Sequence, residues 1–84
     1  MLHKHTELTE PLAREEAVCL LAVDELKQRC RAFERRYRMS SSKFANAFGK
    51  GLLGDEEPYF EWKALLEGID SWSRIKRSLK KLHR

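Results

Sequence analysis

Four glycines and two prolines in 84 residues are too few for a fold of many short strands and turns. No apolar run approaches the roughly 18–20 residues that a membrane-spanning helix needs, and the N-terminus lacks the apolar core of a signal peptide. The expectation is a cytoplasmic protein that makes no use of a membrane. Cysteine is as scarce: Cys19 and Cys30 lie eleven positions apart, on one face of one expected helix and about 16 Å apart along its axis. That separation forbids a bridge between them within the helix. They read as buried free thiols, with an intermolecular disulfide as the alternative.

The chemistry of an active site is missing too. Zinc-finger spacing, an RNA-binding aromatic motif and a glycine-rich phosphate loop are all absent. His3 and His5 have no third ligand nearby. Ser40, Ser41 and Ser42 have no base in a recognisable pattern, and Glu61 and Asp70 share a helix side with no expected cleft above them. No catalytic residue, metal or cofactor is expected, and the chain does not read as an enzyme.

What remains is 42% hydrophobic and 36% charged, the mix of a helical protein with a heavily charged surface. A chain this short buries only about 60–65% of the surface its unfolded form exposes, so a lone monomer would be marginally stable. Residues 1–9 read as a flexible N-terminal tail and residues 10–84 as a single helical domain. Thr9 or Glu10 is a plausible N-cap, with Pro11 in the first turn, where its missing N–H does no harm. From Leu12 onward, Val18, Ala22, Leu26, Cys30, Phe33 and Tyr37 recur at steps of three and four, widened by Cys19 and Val23. The first helix is thus expected over residues 10–38.

Residues 37–62 hold the strongest local signals. Ser40 opens a short second helix, with Met39 and Phe44 at the spacing of a hydrophobic staple. Phe44 and Phe48, one turn apart, make an aromatic wedge, and Gly49 and Gly51 close the helix with residues that tolerate the left-handed conformation. A third helix of about 25 residues starts with Asp55 as cap or with Pro58 in its first turn, and carries an apolar stripe from Tyr59 to Leu82. Gly68, between Ala64 and Ser71, either permits close helix approach or is simply tolerated. The fold class is therefore all-α: a long antiparallel helical hairpin with a short helix in the connection.

Charge suggests two functions. A net charge of +4 and basic clusters containing Arg29, Arg35 and Arg36, then Lys76, Arg77, Lys80 and Lys81, invite a nucleic-acid reading. A hairpin, however, sets the basic end of the first helix beside Asp55, Glu56, Glu57 and Glu61, and the basic end of the third beside Glu7, Glu10, Glu15 and Glu16. Such pairing accounts for much of the charge. A helix-turn-helix built on the Phe44 helix would put Asp55, Glu56 and Glu57 against DNA. The third helix is also apolar over more than one face, so a homodimer forming a four-helix bundle is expected, with Phe44, Phe48, Trp62, Leu66 and Trp72 as candidate partner-binding anchors.

The pattern Tyr37-x-Met39-Ser40-Ser41-x-x-Phe44, Phe48-x-x-Gly51-x-Leu53-Gly54-Asp55 and Tyr59-Phe60-Glu61-Trp62-x-x-Leu65 resembles a family of small prokaryotic proteins similar to the antitoxin-type partner of two-gene toxin–antitoxin modules. Arg38 stands where that family usually has glycine. The likeness covers residues 33–70 and implies a protein-binding function, with a cognate toxin as partner.

Overall fold

Two serines and a left-handed arginine turn the chain at the corner. The computed structural model describes residues 2–82, with side chains from residue 13 onward. Among these, three helices follow one another: α1 (Leu2–Tyr37), α2 (Ser41–Gly49) and α3 (Glu57–Leu82). Gly68 approaching Leu26, and Phe33 and Tyr37 meeting Trp62 and Tyr59, run in opposite chain order, so α1 and α3 are antiparallel. The expected all-α hairpin, with a short helix linking its long arms, is the observed fold. It makes a rod of 59 × 21 × 17 Å.

The first helix begins at Leu2, not near residue 10. Leu2, Lys4 and Glu7 are good helix formers, so the cap pattern at Thr9 and Glu10 is overridden and Pro11 lies inside the helix. His3, His5 and Leu12 have side chains outside the described residues, as does the rest of the expected tail.

The end of α1 is a Schellman-type cap. Arg38 takes φ 53°, and the Met39 N–H donates to the Glu34 carbonyl at 3.2 Å. Ser40 then caps α2, its hydroxyl accepting from the Lys43 N–H at 3.1 Å, while the Glu34 carboxylate accepts from the Ser41 N–H at 2.9 Å. Two donors exposed at the start of α2 are thus satisfied, one of them by a carboxylate that also suits the positive helix end. The end of α2 repeats the Schellman geometry with Gly51 at φ 72°, the Leu52 N–H bonding Ala47 and the Gly51 N–H bonding Phe48. Gly49 is helical, so Gly51 alone takes the left-handed role expected of both. The third helix begins at Glu57, with Pro58 second, so Glu56 rather than Asp55 precedes it.

The core sits at the corner. Trp62 and Phe44 are fully buried, their rings stacked at 3.9 Å and 6°, and the buried Cys30 joins them. Phe33 lies nearly parallel to Trp62 at 5.5 Å, and Tyr37, Met39, Phe48 and Tyr59 close around them. Each fully buried aromatic contributes about 1.5–3 kcal/mol by removal from water. Away from the corner α1 and α3 have only each other. Gly68 lets them close there, since a Cβ on it would lie 3.1 Å from Leu26 Cδ1.

Candidate protein-binding surfaces

Ser41 is the junction of the three helices. Its hydroxyl accepts the Trp62 indole N–H at 3.0 Å, its backbone N–H is held by Glu34, and it lines one groove with Cys30. Burial pushes the Cys30 thiol up from its ordinary value and Glu34 adds to this, against an opposing pull from Ser41. A protonated, buried thiol is a poor nucleophile, so this cluster is built for packing. Glu61 and Asp70 are exposed, and Asp70 pairs with Arg74 at 2.7 Å. Among the described residues no three of His, Cys, Asp and Glu gather as metal ligands, and no helix is long and apolar enough to cross a membrane.

The five candidate anchors divide. Phe44 and Trp62 have no exposed surface and belong to the core, out of a partner's reach in this fold. Phe48, Leu66 and Trp72 are half-buried. Leu66 faces the groove beneath α2, with Cys30, Glu34, Ser41 and Ile69. Phe48 meets Phe60 edge to face at 5.4 Å on the outside of the corner.

That outer corner is the first apolar surface. Phe60 is 52% exposed and Leu52 71%. Asp55, Glu56, Glu57 and Glu61 are exposed beside them. Phe60 stands two positions before the buried Trp62, hence on the opposite side of α3, and that offset was the signal in the sequence.

The second apolar surface lies along the seam of the hairpin. Grooves flank the seam on both sides. One lies under α2; the other, lined by Arg29, Ala32, Phe33, Glu61, Ala64 and Leu65, is a hollow of about 450 Å³ with no third helix over it. The exposed Val18, Ile75 and Leu82 continue beyond it. Val18, placed by its spacing on the inward stripe, is turned outward, and Cys19 is buried in its stead. Leu20 and Leu21 are exposed as well. Residues 17–23 form an unbroken apolar run on a helix with one neighbour, so some of it must face outward.

The basic candidates do not converge. Arg35 and Arg36 end α1 at the corner, while Lys76, Arg77, Lys80 and Lys81 end α3 at the open end of the 59 Å rod. Arg29 is engaged with Glu25 at 3.0 Å on its own helix. Arg74, at the start of the second basic stretch, is likewise engaged within its own helix, with Asp70 at 2.7 Å.

Compared with protein-family models, curated proteins and solved structures, the chain matches none.

Proposed function

We propose that this chain is a protein-binding module that docks a partner on the outer corner of the hairpin, and that the partner is the toxin of a two-gene module, as the resemblance of residues 33–70 implies. The observation that carries this reading is the exposed Phe60 seated edge to face on the half-buried Phe48, with Leu52 and the carboxylates of Asp55, Glu56, Glu57 and Glu61 exposed in the adjoining sequence. Apolar surface with a polar rim is the usual anatomy of an interface, with aromatic anchors contributing most of the affinity. The acidic rim calls for a partner whose apolar pocket is bordered by Lys or Arg. Most of the remaining residues in the resembling pattern are engaged in building the corner: Ser40 and Ser41 in caps and hydrogen bonds, Phe44 and Trp62 in the core, Gly51 in its left-handed turn. Phe60 has no such structural duty.

The test is co-purification with the product of the adjacent gene. Binding that Phe60→Glu abolishes without loss of helix content supports the proposal, as does growth arrest by the neighbour that the wild-type chain relieves. A neighbour neither bound nor toxic overturns it.

The alternative, a basic helical nucleic-acid-binding protein, has less behind it because its candidate residues stand at opposite ends of the rod. It would appear as oligonucleotide binding that falls steeply with salt, whereas docking through the Phe60 ring is lost on Phe60→Glu and keeps its apolar part as salt rises.

A further inference from the structure

We infer that the seam face opposite α2 binds a second copy of this chain, so that two hairpins form a four-helix bundle and leave both corners free. The inference is independent of the toxin reading, because it uses a different surface.

The face has the shape for it. Ala32 and Ala64 are exposed at the centre of the hollow, and small side chains there let a second layer approach to the usual helix spacing of about 8–10 Å. From Leu65, the residues Gly68, Trp72, Ile75, Leu79 and Leu82 follow at steps of three and four, the stripe a packed helix presents. This stripe borders the seam, yet Ile75 remains 45% and Leu82 69% exposed because α1 covers one side only. The 26 residues of α3 extend about 39 Å, and with the transverse extents of the rod, 21 and 17 Å, they give roughly 650–800 Å² per chain, within the range of a standard stable interface.

Charge selects the occupant. The stretch of α1 from Glu15 to Glu25 carries four carboxylates and no Lys or Arg, and that from Lys27 to Arg36 carries five cations against Glu34; α3 runs from acidic Glu57 and Glu61 to basic Lys80 and Lys81. A twofold axis along the rod lays α1 on the partner's α3, and one across the rod lays each helix on its own copy reversed. Both set acidic halves against basic halves. A second copy therefore satisfies the apolar stripe and the charge alternation together, and α2, on the other side of the seam, stands clear of the contact.

Sedimentation equilibrium of the full chain tests this. A mass of twice 9.9 kDa is expected at micromolar concentration. Ala64→Arg should weaken dimerisation at least about tenfold, because Ala64 is exposed and Arg is a strong helix former, leaving the monomer's helix content unchanged. Ile75→Glu should do the same, and Phe60→Glu should not. If Ile75→Glu loses helix, Ala64→Arg decides alone. A wild-type monomer throughout, or a dimer that Ala64→Arg leaves intact, overturns the inference.

Discussion

Arg38 occupies a backbone position that glycine fills better, and replacing it isolates one energy term at the corner. Its φ of 53° is the left-handed conformation in which a Cβ costs about 1–2 kcal/mol. Glycine removes that penalty but loses about 0.5–1 kcal/mol to the greater freedom of the unfolded chain, so the backbone terms alone favour glycine by about 0.5–1 kcal/mol. The arginine also sits at the negative end of α1, where its charge contributes about 0.3–1 kcal/mol. Arg38→Ala serves as the reference, since it loses the same charge and keeps the Cβ. Glycine should exceed alanine by about 0.5–1 kcal/mol, which for a domain of this size is about 2–8 °C in Tm. Thermal and urea unfolding followed by circular dichroism read the difference. Alanine equal to or better than glycine would mean that the cap at Met39 and Glu34 does not hold Arg38 left-handed, and the account of the corner would fail.

Gly51→Ala is the mirror test: nothing lies within 4 Å of the added Cβ, so the expected loss of about 1 kcal/mol in urea unfolding is backbone strain alone. Ser41→Ala leaves the buried Trp62 indole N–H without its acceptor and should cost about 1–3 kcal/mol, read as a lower urea midpoint at unchanged slope. Phe44→Ala should cost about 3–5 kcal/mol, a large part of the stability of a chain this small, with visible loss of helix at ambient temperature. Stability should also fall as pH rises above about 9. Burial holds the Cys30 thiol above its ordinary 9.0 and the Tyr59 phenol above 10.0, so the unfolded chain releases these protons first. Cys30→Ser should flatten the lower part of that decline, and an equally steep fall without the thiol would refute its assignment.

The arms, the corner, the Ser40 cap and the left-handed Gly51 were legible in the sequence because they rest on local physics. A three-four apolar period winds into a helix, a serine that can reach a free N–H starts one, and a glycine that accepts positive φ stops one. The true start of α1 was not legible, because a cap signal marks where a helix can begin without preventing an earlier one. Only the tertiary structure sorted the apolar residues. Spacing grouped Phe44, Phe48, Trp62, Leu66 and Trp72 as anchors, yet Phe44 and Trp62 are core and Phe60 and Leu52 are exposed. Burial depends on which neighbours a helix has, and α2 covers one end of one side of the hairpin. The basic clusters were equally plain in the chain, but the antiparallel fold placed them at opposite ends of the rod. Periodicity is a property of one segment, whereas exposure and field belong to the assembled chain.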